Sequence, residues 1–139
     1  MIVRRMSTTS AYTESKSLNY CINLLQKRAY EQYIATLLLP PNIRRCGFAI
    51  RAFNVEISSI RDQVSARNVG LGRTVFWQEL VHKLFERGSH IPNHPVAKEL
   101  SYVIQNVSLF ILSYFFLQHL KKKEIFYFSI RYLKNFFKG

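Results

Sequence analysis

Acidic residues are scarce in this chain. Eight aspartates and glutamates stand against twenty lysines and arginines, giving a formal net charge of +12 at pH 7 and a pI near 10.1. That imbalance implies attraction to something anionic: nucleic acid, a lipid surface or a diphosphate. A targeting segment plus a basic tail accounts for the same excess without any ligand. Only two cysteines occur, Cys21 and Cys46, far apart and in no CxxC pair. This excludes a paired-thiol redox or zinc motif and leaves both as small buried hydrophobes. Five glycines and four prolines are too few for a low-complexity or collagen-like chain.

Catalytic signatures are missing as well. There is no HExxH, and His90 and His94 cannot stack as a helical metal pair because Pro92 lies between them. All four histidines (82, 90, 94, 119) read as satisfied or exposed side chains, not zinc ligands. No serine or cysteine sits in a G-x-S-x-G setting. The glycines of Asn68 to Gly72 (NVGLG) have neither Walker spacing nor a preceding strand, so they predict a turn and not a phosphate cradle. No RNP, KH or zinc-finger signature appears, so nucleic-acid binding would rest on charge alone and is not expected. The apolar run from Val107 to Leu117 is too short by itself to cross a bilayer, which takes about 20 residues. Widening it to 103–120 brings in Gln105, Asn106, Gln118 and His119.

What the chain does have is helical periodicity. From Pro40 to Val64, apolar residues fall at Ile43, Cys46, Ile50, Phe53, Ile57, Ile60 and Val64, alternately three and four apart. That is the spacing of one buried helix face. A second row, Phe48, Ala52, Val55, Ser59 and Asp62, lies on roughly the opposite side at about 100° per residue. This row begins apolar and ends polar. A helix apolar on two sides wants neighbours on both, which predicts a central position in an all-α helical bundle.

Around it, Ser17 to Leu39 predicts one helix capped by Ser17 and stopped by Pro40-Pro41, with Pro41 opening the central helix. A third helix is expected from about Arg73 to Arg87, ended by Gly88. A fourth opens at Pro95, with His94 as its cap. Residues 1–16, Arg-rich, hydroxyl-rich and without an acid before Glu14, read as a mitochondrial transit-like segment. With no secretory signal, the sequon Asn106-Val107-Ser108 is not expected to be glycosylated. Residues 17–105 form the helical domain. Residues 106–139 form an aromatic, basic tail with seven of the eleven phenylalanines and one acid, Glu124, a composition suited to an anionic membrane surface.

Several of these segments resemble the squalene/phytoene synthase family. The resemblance is carried by LLLPPNIRRCGFAIRAFNVEISSIRDQV (37–64), then GLGRTVFWQEL (70–80) with Arg73, Phe76 and Trp77, then HPVAKEL (94–100). Tyr20-Cys21, Lys27-Arg28 and Tyr30 fit the segment before them. The match runs from about Leu18 to Leu100, the N-terminal portion of the family pattern, and departs from it in the tail. It implies an isoprenoid-synthase-like fold, here incomplete. Active members condense prenyl diphosphates such as farnesyl or geranylgeranyl diphosphate, with Mg²⁺ held between aspartate-rich motifs.

The family's first such motif, DDxxD, falls on Ser58, Ser59, Ile60, Arg61 and Asp62, so only Asp62 keeps a carboxylate. Unit charges at 4 Å are worth about 1 to 4 kcal/mol each at effective dielectrics of 80 to 20. Two lost anions and an added Arg61 therefore predict no metal site, no Mg²⁺ cofactor and no catalysis. Arg44, Arg51 and Arg73 are the candidates for vestigial diphosphate-facing cations, and they equally suit solvated faces or ion pairs. The AFNVE wording and the LLLP run are most similar to the animal mitochondrial branch. That branch implies support for assembly of respiratory complex I, with its subunits or other assembly factors as partners, peripherally on the matrix side of the inner membrane. Two alternatives remain: a Mg²⁺-dependent prenyl transferase completed by later acids, and a basic membrane-surface or RNA-binding module.

Overall fold

The computed structural model describes residues 15–86 and 88–106. Every regular element among them is helical: α1 (Lys16–Arg28), α2 (Tyr30–Leu37), α3 (Pro41–Gln63), α4 (Arg67–Phe85) and α5 (Pro95–Asn106). Of the transit-like segment only Ser15 and Lys16 are described and of the aromatic tail only Asn106; the rest of both, and 107–120 of the 103–120 stretch, lie outside the described residues. Among the described residues no helix is long and apolar enough to cross a membrane.

α3 is the hub and packs against each of the other four helices. Pro41 opens it, where a missing N–H costs no hydrogen bond. Its main apolar row, Cys46, Ile50, Phe53, Ile57 and Ile60, is buried against Trp77, Leu80, Val81 and Leu84 of α4 and against Val96, Ala97, Leu100 and Val103 of α5. Each such side chain contributes about 1.5–3 kcal/mol when fully removed from water. The second row is covered too. Phe48 and Val55 join Leu18 and Leu25 of α1 in a separate cluster, walled by Ile22, Ala29 and Tyr33, and Ala52 is fully buried.

Three local expectations fail for identifiable reasons. The single helix expected over 17–39 breaks at Ala29, whose φ of −148° and ψ of 58° leave the helical region. No glycine or proline forces this break. It swings α2 onto α3, where the Tyr33 ring stacks 6.1 Å from Phe48 and Arg51 reaches Gln32 and Thr36. The N-cap of α1 is Ser15, not Ser17: its Oγ accepts from the Leu18 N–H at 3.1 Å while donating to Glu99 at 2.6 Å. The expected NVGLG turn lies inside α4. Glycine costs a helix interior about 0.5–1 kcal/mol, less than is gained by burying the apolar face that follows. Helix α4 then stops at Phe85, and Gly88 takes a left-handed φ of 77° just beyond. His94 does start α5, but through its backbone: its carbonyl accepts from the Lys98 N–H at 3.0 Å.

Candidate functional site

The polar end of α3's second row borders an open pocket of about 330 Å³. The pocket lies between the C-terminal half of α3 and the first half of α4. Glu56, Ser59, Ile60 and Gln63 of α3 share one wall because they recur at helical spacing. Gly72, Arg73, Phe76 and Trp77 of α4 form the other wall, and His94 closes one end.

The walls combine a single carboxylate with an aromatic cage. Glu56 Oε1 accepts from the Tyr20 hydroxyl at 2.8 Å. Burial, then that hydrogen bond to Glu56, pushes the Tyr20 pKa up to about 12, so the phenol keeps its proton. Trp77 meets Phe53 and Phe76 edge to face, each at 5.4 Å, and meets His94 at 5.0 Å. Tyr20 and Phe76 flank the same imidazole at 6.2 and 6.3 Å. Among the described residues His94 Nδ1 is buried without a hydrogen-bond partner. Burial drives the His94 pKa below its ordinary value, with Glu56 pulling the other way. The imidazole is therefore neutral at pH 7.

Of the six residues singled out in the sequence, the fold brings only Ser59 and Arg73 together here. Ser59 is buried at the wall, but its Oγ donates to the Glu56 carbonyl at 2.9 Å. Ser58 is exposed and donates to the Val55 carbonyl at 3.1 Å. The Asp62 side chain is 71% exposed, beside Arg61 Nε at 3.7 Å. Ser58 and Asp62, one helical turn apart, are thus both exposed on α3, while Ser59 alone of the three is buried at the pocket wall. Arg44 folds back onto the Leu39 carbonyl with Nε at 3.3 Å and Nη2 at 3.0 Å. Arg51 donates to the Gln32 carbonyl at 2.8 Å and to Thr36 Oγ1 at 2.6 Å, and burial lowers its pKa. Neither faces the pocket. Arg73 Nη1 reaches Gln63 Oε1 at 3.3 Å, while the amide turned over would place that oxygen 2.9 and 3.0 Å from the two Arg28 Nη atoms. Two guanidinium heads thus compete for one neutral amide.

Magnesium does not fit this donor set. Mg²⁺ demands octahedral oxygen ligands and is usually held by one or two carboxylates together with substrate phosphates. Both serine hydroxyls spend their protons on their own helix, and Asp62 points into solvent. Glu56 is engaged by Tyr20 and balanced across the pocket by Arg73. Among the described residues no three histidine, cysteine or acidic side chains gather where a metal could sit. The described lining sets one carboxylate, Glu56, against one guanidinium, Arg73, beside Phe76, Trp77 and a neutral His94, a poor place for a diphosphate. Sequence reasoning missed Glu56, Gln63 and Tyr20. The spacing of Glu56, Ser59, Ile60 and Gln63 would have grouped the wall residues of α3, whereas nothing local points to Tyr20.

The family described as squalene/phytoene synthase matches residues 25–117. A protein of Bos taurus called NADH dehydrogenase (ubiquinone) complex I, assembly factor 6, is 42% identical over 97 residues, covering 70% of this chain and 28% of that protein. The Homo sapiens protein of the same name is 45% identical over 82 residues, covering 59% of this chain and 24% of its own length. A Drosophila melanogaster homolog is 35% identical over 107 residues, or 74% and 32% of the two chains. The matched region thus spans about a quarter to a third of those relatives. No solved structure matches the chain.

Proposed function

This chain belongs to the squalene/phytoene synthase family, and on that footing we propose that it is a non-catalytic member supporting assembly of mitochondrial respiratory complex I. The observation that carries the reading is the state of the former aspartate-rich turn. Ser58 and Ser59 bond their own helix and Asp62 faces water beside Arg61. An enzyme of this family must neutralise a leaving diphosphate, which a metal clamp does and a balanced pocket does not. The relatives named for complex I assembly supply the positive half of the proposal.

The partners are then complex I subunits or other assembly factors, and the protein acts without magnesium or another cofactor. It works peripherally on the matrix side of the inner membrane, in keeping with its basic charge and with the finding that no described helix is both long and apolar enough to cross a bilayer. The prenyl-transferase alternative would need several carboxylates facing Asp62 and a reorientation of both serines. RNA binding gains no support from the pocket, whose aromatics pack against one another.

Complementation tests the proposal. The chain is expressed in cells depleted of their own complex I assembly factor 6, and assembled complex I is followed on native gels. Restoration is expected, and equally from Asp62→Asn, which leaves the fold untouched. Failure of the unmodified chain to restore complex I, or restoration lost with Asp62→Asn, contradicts it.

A further inference from the structure

Helix α2 is built with its polar contacts inward and its apolar face outward. On its inner side Thr36 is buried, donating to the Gln32 carbonyl at 2.6 Å and accepting from Arg51. On the outer side Tyr30, Ile34, Leu37 and Leu38 recur at i, i+4, i+7 and i+8 and are all exposed, Tyr30 at 62% and Leu38 at 82%. The corner that presents them is locked. The Leu39 N–H donates to the Thr36 carbonyl at 3.1 Å, and both Arg44 contacts hold the Leu39 carbonyl from the α3 side. Exposed Pro40 and Pro41 extend the same corner. An outward apolar stripe is ordinarily the first thing a soluble fold hides. Here two arginines hold it out.

We infer that this α2 face and the corner following it, from Tyr30 to Leu38, are where the protein docks on an anionic lipid surface. The inference rests on the membrane-peripheral reading above and assigns its surface. Charge selects the occupant. Lys27 and Arg28 are exposed at the end of α1, immediately before Tyr30, and Glu31 is the only acid on α2. An apolar stripe with cations at its margin is the pattern of a helix lying in the headgroup boundary of an anionic leaflet. A second copy is a poorer occupant. Each chain carries +12, so two copies repel, and four side chains fall short of the roughly 800 Å² per partner that a stable interface buries.

The test is cosedimentation of the full chain with vesicles of phosphatidylcholine, with and without phosphatidylglycerol. Wild type is expected to bind the anionic vesicles, more weakly as salt rises. The double variant Ile34→Gln, Leu38→Gln should lose about tenfold or more in affinity, since two apolar side chains no longer enter the interface. Its circular dichroism should stay unchanged, because both positions are exposed and glutamine suits a helix. Lys27→Gln with Arg28→Gln should flatten the salt dependence. Equal binding by wild type and the Ile34/Leu38 variant overturns this surface and leaves membrane association itself standing, carried by residues elsewhere in the chain. No binding by wild type to either vesicle overturns both. A wild-type dimer that the Ile34/Leu38 variant abolishes, with vesicle binding unchanged, assigns the face to a second copy and overturns the inference.

Discussion

Arg45 and Glu99, fifty-four positions apart, meet as a two-pronged pair: Nε lies 2.9 Å from Oε2 and Nη2 lies 3.0 Å from Oε1. The carboxylate is 2% exposed and also accepts the Ser15 hydroxyl at 2.6 Å. The guanidinium stacks 3.6 Å above the Tyr102 ring. One buried anion thereby ties the cap of α1, the first turns of α3 and the middle of α5 into a fixed arrangement. Position 45 follows the family-like Arg44, yet its role is structural.

Breaking that pair from one side should be expensive. Arg45→Ala leaves Glu99 buried with only a serine hydroxyl, and loss of one partner of a buried pair costs about 3–5 kcal/mol. Because the guanidinium is partly solvated, the lower end applies. The double variant Arg45→Met, Glu99→Leu should lose markedly less than the sum of the two single changes. Urea denaturation of the four proteins measures this, and strict additivity would contradict the account.

His94 should make stability depend on mildly acidic pH. Its folded pKa is depressed below the ordinary 6.5 by burial, so the unfolded chain binds the proton more readily. Stability from this group is then fully present above about pH 6.5 and falls as pH drops from there toward the folded pKa. Thermal midpoints measured from pH 7.5 down to 5.5 should decline. The decline should be shallower in His94→Gln, whose side chain does not titrate. Equal slopes for the two proteins would remove His94 as the cause.

Both thiols should be inert in the native protein. Cys21 and Cys46 are buried, and burial, with the nearby Glu99 and Glu56 carboxylates adding to it, pushes the Cys21 pKa up to about 12. The Cys21 thiolate is therefore almost absent at neutral pH, and burial alone keeps the reagent from Cys46. Ellman's reagent should label neither cysteine in the folded chain and both in guanidinium. Prompt labelling of the native protein would show that α1 and α3 separate readily.

How much of this could be read in the residues depends on how local the cause is. The span of α3 was legible because apolar spacing and Pro41 are properties of the segment itself, and so was the start of α5 at Pro95. The break at Ala29 was not, since it answers to Phe48 and Arg51 on another helix. Asn68 to Gly72 misled for the same reason: glycine's local preference is modest, and the burial of Trp77 and Leu80 overrides it. At the site, the degenerate aspartate-rich motif at Ser58, Ser59 and Asp62 was legible only through the family resemblance, carried over from Ala52-Phe53. That Glu56 would be the pocket's carboxylate was not visible. Its partner Tyr20 lies thirty-six positions away, and only the packing of α1 on α3 brings the two together.

The most direct test concerns the proposed absence of metal-dependent catalysis. Farnesyl or geranylgeranyl diphosphate is incubated with the chain in millimolar Mg²⁺, and released diphosphate is followed by phosphorus NMR. The account predicts release no faster than in buffer, for wild type and for Asp62→Asn alike. Turnover by the wild-type chain that disappears with Asp62→Asn would contradict it.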